Sequence, residues 1–462
     1  IIKSKNNMKK KLFLVTRTPK GLYNFLINPC ITDAEKKTKK KLILQKFKNK
    51  FYLTAILFTI KNIFNLTIFD KHSLVKLSFN EVQIGRYVIA EIYSKPNSYN
   101  SIIVFLYNAV INIFKAVNIY LTTEDLSKKI DAAYIDHCMY INGIILEVLI
   151  QKNILIYSNN YPKNVFCFKK VSKNKKISIE NILELKKNDI KTSKRDLINA
   201  EKYAYKIIKN TSTLPWMKSI TFKSEKIDKL SNATHFIYAH SFTDGQLMYG
   251  YDGFVNVYDW IYFTLKTLSK NKKNLIFVKA HPWFYHPKNP NGKFLFDRNI
   301  FLKLIKKFQS DNVIFIKEPI ENFKILKQLK KNTILISHHG TAVLEGLYYN
   351  FKCVTSQKTF WAKEFKLTNN WLNQGNYKRL LEKPWNELNY KNKNDYRNVC
   401  FQLFLKKNGI FGKYLWLNIV CDAYKVSMKE FWENIRLNKN LPKKKEKEVL
   451  KKIEKTIEQI AF

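Results

Sequence analysis

The chain has 462 residues, 46% of them apolar, and 82 lysines and arginines against 36 acids, for a formal net charge of +46. That length and apolar content support two or three domains with real cores and exclude a disordered polyelectrolyte or a small disulfide scaffold. The charge is carried mostly by lysine, a poor bidentate reader of bases, and no zinc-finger, RNA-recognition or helix-turn-helix signature accompanies it. A dedicated nucleic-acid binder is therefore not expected. What remains for the lysines is a solvated surface, or attraction to an anionic membrane face or glycan. Cys30, Cys138, Cys167, Cys353, Cys400 and Cys421 form no CxxC pair and no metal-ligand spacing, a reduced pattern that predicts a cytoplasmic protein.

The N-terminus is basic up to Lys11, then apolar at Leu12-Phe-Leu-Val15, a predicted strand too short for a signal sequence; Met8 is a candidate start. The runs Phe51–Ile60, interrupted by Lys61 and Asn62, and Ile102–Phe114 read as too short to span a bilayer, so no transmembrane helix is predicted and peripheral attachment stays open. Ala133-Tyr-Ile135 and Asn153–Tyr157 read as strands with a helix at Tyr140–Ile150 between them, a βαβ unit. Lys169–Lys194 reads as solvated and Leu197–Asn210 as helical.

Beyond residue 225 the pattern alternates regularly. Strands are predicted at His235–Ala239, Leu275–Val278, Val313–Ile316 and Ile334–Ile336. Helices are predicted at Tyr258–Leu268, Ile300–Phe308 and Asn322–Lys330, and Lys443–Phe462 reads as a Lys/Glu surface helix. Such alternation predicts a doubly wound parallel sheet. The chain thus divides into an N-terminal Rossmann-like half (1–215), a second one (225–400) and a C-terminal helical segment (401–462). This α/β layout of two Rossmann-like domains facing a cleft is called GT-B among glycosyltransferases.

In open parallel sheets ligands bind beyond the carboxyl ends of the strands, so the residues leaving those ends are the candidates. The first junction is His240-Ser-Phe-Thr-Asp244-Gly245. Asp244 stands where a nucleophile or general base belongs, with turn formation as the plain alternative. Asp252 and Asp259 are weaker, cap-like positions. The second junction is Lys279-Ala-His281-Pro282, where Pro282 ends the strand and His281 is placed to donate to a phosphate or protonate a leaving group. The third is Ser337-His338-His339-Gly340-Thr341, entering a helix near Ala342. Gly340 is expected to supply an unusual backbone angle and close approach, the helix start an anion site, and Ser337 and Thr341 hydroxyl donors. Glu345 falls one turn on, on a side suited to a ribose. A plainly capped helix, with Thr341 as N-cap, is the alternative. In the first half, His137 after Asp136, and Arg86 after Gly85, are acceptor-side candidates, with a polar turn and a surface arginine as the plain readings.

Together, His240-x-x-x-Asp244, Tyr258-Asp259-Trp260 with Thr264-Leu265, Lys279-x-His281-Pro282 and Ser337-His338-His339-Gly340-Thr341-x-x-x-Glu345 resemble the bacterial capsule polysaccharide biosynthesis family, the Kdo-transferase-like GT-B glycosyltransferases. The resemblance covers residues 235–365 and extends to the N-terminal half only in outline. It implies a sugar, such as Kdo from CMP-Kdo, moved from a nucleotide donor to a glycan or lipid-linked acceptor. It further implies that His281, Pro282, the turn from Ser337 to Thr341 and Glu345 hold the donor, that Asp244 is the catalytic carboxylate with His281 beside it, and that His240 lies toward the acceptor. No cofactor beyond the nucleotide sugar is implied and no metal, in keeping with the absence of an Asp-x-Asp motif. Ala280 stands where the family often has Pro, and paired histidines where it often has Asn or Gly, which leaves the donor sugar open. Two other functions fit parts of the pattern. A CDP-glycerol-type polyol-phosphate transferase has less need of Asp244. A basic nucleic-acid-binding protein would cluster arginine and aromatics along one groove, whereas here lysines are spread and histidines focused.

Overall fold

The computed structural model describes residues 11–15, 42–44, 51–65, 67–99, 101–136, 140–159, 169–170, 185–187, 193–209, 222, 227–285 and 293–405. The surface helix expected at Lys443–Phe462 lies outside them. Two α/β sheets organise the chain. The first contains β1 (Lys11–Val15), β2 (Leu42–Leu44), β3 (Ile130–Asp136), β4 (Leu155–Asn159) and β5 (Lys169–Lys170), in the order β2-β1-β3-β4-β5. Its pairs are parallel except β4 with β5. Helices α1 (Tyr52–Phe64), α2 (Lys71–Lys76), α3 (Gly85–Tyr93) and α4 (Ile102–Ser127) lie between β2 and β3, and α5 (Asn142–Gln151) makes the expected crossover from β3 to β4.

The apolar run that the sequence suggested would end at Phe114 continues past Lys115 into a 26-residue helix, capped by the Ser101 side chain. By length and composition α4 is able to cross a membrane, but 44% of its most apolar window is buried in the protein. Ala109, Ile113, Ala116 and Val117 pack inward with residues of α3 and α5, as the central helix of this half. Arg86, at the first turn of α3, is also buried. Its guanidinium donates to the Tyr87 hydroxyl (2.6 Å) and to the Glu147 carboxylate on α5, and Tyr87 donates to the same carboxylate (2.5 Å). The arginine expected to face an acceptor instead ties α3 to α5, because a buried charge is tolerated only when paired.

The second sheet follows α6 (Lys194–Lys209). It runs β6 (His235–Tyr238), α7 (Val257–Leu268), β7 (Ile276–Lys279), α8 (Lys293–Phe308), β8 (Val313–Ile316), α9 (Asn322–Gln328), β9 (Ile334–Ser337), α10 (Ala342–Tyr348), β10 (Lys352–Ser356), β11 (Asn369–Trp371), α11 (Gln374–Glu382) and α12 (Lys393–Cys400). The order is β11-β10-β9-β6-β7-β8, and all pairs are parallel. Strands covered on both faces must be apolar throughout, and β6, β7, β9 and β10 are buried along their length. Phe236, Tyr238, Phe277 and Leu335 point to the side of α9, α10 and α12. Ile237, Ile276, Val278 and Ile336 point to the side of α7, α8 and α11. The sheet therefore starts at its centre with β6, winds outward through β7 and β8, and then returns to β9 on the other side of β6. Strands β10 and β11 escape a hydropathy reading because they include Lys352 and Asn369. Lys352 is sequestered by tertiary contacts, donating to the Trp385 carbonyl (2.9 Å) with its ammonium 3.9 Å from the centre of that indole. Cys353 and Cys400 are buried free thiols.

Removing Arg86 leaves the Glu147 carboxylate without its counter-charge inside the first half. Arg86→Ala is expected to cost roughly 3–5 kcal/mol of unfolding free energy, read as a shift of the urea midpoint at constant slope. A surface-arginine effect of a few tenths of a kcal/mol would overturn the structural role.

Candidate active site at the strand-order reversal

The connections leaving β6 and β9 run in opposite directions, so a crevice must open at their carboxyl ends. His240 leaves β6 at that edge, His281 leaves neighbouring β7, and His338 and His339 leave β9. The sheet brings these four residues together. Ring centroids are 4.2 Å apart for His240 and His339, 6.0 Å for His240 and His281, and 5.0 Å for His338 and His339. A hollow with about 320 Å³ of empty space, counting the part open to solvent, lies beside them. Its lining runs from Gly245 to Gly250, with Phe254, Asn256, Val257, His338, His339, Ser356 and Lys358. Among the described residues no group of three or more His, Cys, Asp or Glu side chains is arranged to hold a metal ion.

Asp252, a weak candidate in the sequence, anchors this arrangement. Its carboxylate is fully buried. It accepts from the Phe254 amide (3.3 Å) and has the His338 Nε2 atom 3.1 Å away. Burial alone would raise its pKa, but the field and hydrogen bond of His338, with further bonds from Ser356 and Phe254, outweigh burial and lower it. The ring nitrogen facing an ionised carboxylate carries a proton. His338 Nδ1 lies 2.7 Å from His339 Nδ1, so one of these two nitrogens donates to the other, and His339 Nε2 lies on the side of Gly245. Trp260 and Trp371, stacked on each other at 6.3 Å, both meet the His338 ring edge-to-face from one side, at 5.4 and 5.8 Å.

Asp244 is exposed at the same rim, and Tyr140, from the first half, donates to its Oδ1 (2.9 Å). Gly245 follows at φ +66, a left-handed angle that glycine adopts without strain. The two halves also meet where Tyr99 donates to the Phe242 carbonyl, where the His72 ring meets the Tyr251 hydroxyl (2.5 Å), and where Val255 enters the core of the first half.

The rest of the expected site divides. Burial, reinforced by His240 and Lys279 and opposed by Asp244, lowers His281 to about 3. It is neutral near pH 7, which suits the first of its two expected roles, an N–H donated to a phosphate, and not the protonation of a leaving group. Pro282 begins a short 3-10 turn after it. Gly340 has no positive φ; its need for glycine comes from close approach, since a Cβ there would fall 2.8 Å from Ser337 Oγ, which accepts from the Gly340 amide (3.2 Å). Thr341 is exposed, its backbone is already helical, and its side chain makes no capping bond to the seven-residue α10. Glu345 does not line the hollow. It accepts from Asn322 (3.0 Å), and burial, partly offset by Asn322 and Lys279, raises it to about 7. Burial lowers Lys279 to about 8 against the pull of Glu345. The two feel each other's charge on the α10 side of the sheet. Arg86 is committed to Glu147, and His137 lies outside the described residues. Tyr140 and Lys358 were not singled out by any spacing in the sequence, and Asp252 only as a weak, cap-like position.

No protein-family model matches the sequence, and neither does any curated protein. Among solved structures the chain is similar to the β-Kdo 2,4 transferase KpsC of Thermosulfurimonas dismutans, at 10% identity, covering 59% of this chain and 80% of that one with a TM-score of 0.35. It is also similar to the UDP-GlcNAc 2-epimerase of Methanocaldococcus jannaschii, solved with UDP-GlcNAc and UDP, at 14% identity over 84% of this chain and 97% of that one, TM-score 0.27. A third is the glycotransferase of kitacinnamycin, at 9% identity over 87% and 96%, TM-score 0.25. At these scores and identities none of them bears on what this chain binds or does. The chain's own topology defines an α/β protein of two sheets, the second wholly parallel.

The histidines withdrawn from water, His235 wholly and His240, His281 and His339 in part, make acid stability a test of the arrangement. His281 and His235 are lowered from 6.5 to about 3 and about 4 by burial, and burial also lowers His240 and His339. Below pH 6.5 the unfolded chain takes up protons that these folded rings refuse, so stability falls as pH drops from 6.5 toward 3. Each ring contributes a slope of up to about 1.4 kcal/mol per pH unit. Urea unfolding across that range should show the decline beginning near 6.5; a midpoint flat down to the carboxylate range contradicts the burial of the cluster.

Proposed function

We propose that the chain is a glycosyltransferase that moves a sugar from a nucleotide-activated donor to a glycan or lipid-linked acceptor at the inner membrane face. The donor is a CMP-activated acidic sugar of the Kdo type. The observation that carries this reading is the hollow at the strand-order reversal that His338, His339 and Lys358 line together, with the His240 ring packed on His339 behind it and Asp244, hydrogen-bonded by Tyr140, directly before its first lining residue. A nucleotide phosphate in that hollow meets the Lys358 ammonium, which offsets the charge that builds on the departing phosphate. The neutral His281 adds an N–H donor. Asp244, exposed and already hydrogen-bonded by a hydroxyl, accepts the proton of the acceptor alcohol as that oxygen bonds to the anomeric carbon and the nucleotide leaves with the electrons of the broken bond. Asp252 acts through His338 and His339 as a positioning residue.

Calorimetric titration of CMP, CDP, UDP and GDP tests the reading. Micromolar binding of a cytidine nucleotide is expected, weakened about tenfold in Lys358→Ala (roughly 1.4 kcal/mol). CDP preferred over CMP turns the reading toward polyol-phosphate transfer, and UDP or GDP preference removes the Kdo assignment. No binding of any of the four refutes the donor site. Asp244→Asn should keep nucleotide affinity and lose about 10²–10⁴-fold in transfer rate.

A further inference from the structure

Helix α1 is built inside out. It buries Ala55, Thr59 and Asn62, and it exposes Leu53 (71%), Ile56, Leu57, Ile60 and Phe64 (79%). The buried polar side chains satisfy themselves on their own helix: Thr59 donates to the Ala55 carbonyl (2.7 Å) and Asn62 to the Phe58 carbonyl (2.8 Å). A surface helix of a water-surrounded protein turns its leucines, isoleucines and phenylalanines to the core, and apolar side chains gathered on one exposed face mark an interaction surface. Helix α4, against which α1 packs, repeats the pattern in its first turns, with Ile102, Ile103 and Tyr107 exposed while Asn108 and Asn112 are buried.

The stretches of chain that form this face carry only basic charge. Residues 51–69 and 102–123 contain no acid, and their charged residues are Lys61 and Lys115. The sequence leading into α1, residues 31–50, carries eight lysines against Asp33 and Glu35. A second copy of a chain with a net charge of +46 is repelled from such a face. A surface that is both apolar and anionic is the complement, and the headgroup layer of an acidic bilayer is one.

We propose that the exposed face of α1, extended by the first turns of α4, seats the protein on the anionic surface of a bilayer, with the apolar side chains at the headgroup–acyl boundary. The inference rests on the proposed function for its choice of occupant, and names the surface that would bring the cleft to a lipid-linked acceptor. The connection is short: α2 follows α1 after six residues, and its His72 meets Tyr251, the neighbour of Asp252.

The test is co-sedimentation of the full-length protein with vesicles of phosphatidylcholine alone and with added phosphatidylglycerol. Binding is expected on the phosphatidylglycerol vesicles, weakened by salt and slight on phosphatidylcholine. Combined Leu53→Ser, Leu57→Ser and Phe64→Ser substitutions keep the net charge and touch exposed positions only. They should lower vesicle partitioning by at least about tenfold at an unchanged melting temperature and unchanged cytidine-nucleotide affinity. Three outcomes overturn the proposal: no vesicle binding, equal binding by wild type and variant, or a wild-type dimer in solution that the variant loses. Vesicle binding of the expected kind without nucleotide binding supports the membrane face and removes the transferase reading, so the two failures are separable.

Discussion

A carboxylate with no access to water is the fixed point around which the site is arranged. Removing Asp252 from solvent is costly unless charge or hydrogen bonds replace the lost hydration, and they come from His338, Ser356 and the Phe254 amide. The requirement propagates. Asp252 holds the Nε2 edge of His338, His338 meets His339 through their Nδ1 atoms, and His339 packs against His240. The loop from Leu247 to Val255 that carries Asp252 is itself held by the core of the first half. The state of the rim histidines is thus tied to the packing between the two halves.

The strand order supplies the other constraint. Starting at the centre and winding outward in both directions sets β6 beside β9, so His240 and His339 become ring neighbours although 334 and 235 begin their strands far apart in the chain. No local interaction brings these rings together; the burial of β6, β7, β9 and β10 on both faces does. The cluster is consequently a product of the whole second sheet, and its desolvation is why so many of its groups are shifted toward neutrality.

Much of the second half was legible because its strands are short apolar runs that end in chemistry-bearing turns. Val313–Ile316 and the β9 junction needed no tertiary information. The misreadings have physical causes. Lys115 and the surrounding polar residues hid the length of α4, whose asparagines and threonines are tolerated inside because several bond back to their own helix. Arg86 looked like a surface charge because its partner, Glu147, is 61 residues away. Thr341 has the chemistry of a cap, but a helical backbone angle denies its side chain that role. Asp252 resembled a helix cap; its carboxylate does accept from an amide two residues on, that of Phe254, but its other role depends on His338, which only the closed sheet brings near. Tyr140 reaches Asp244 across 104 residues, a pairing that no periodicity encodes.

That last contact has a consequence of its own. A phenol donating to a carboxylate makes the same bond that an alcohol makes when its proton is about to be taken. Under the transferase reading, the Tyr140 hydroxyl stands at one of the two oxygens that an incoming hydroxyl would use, an imitation of the acceptor tethered to the protein. On that reading an acceptor would share or displace a group that stays at hand to reclaim the carboxylate, and water would compete at that oxygen with a hydroxyl that never diffuses away.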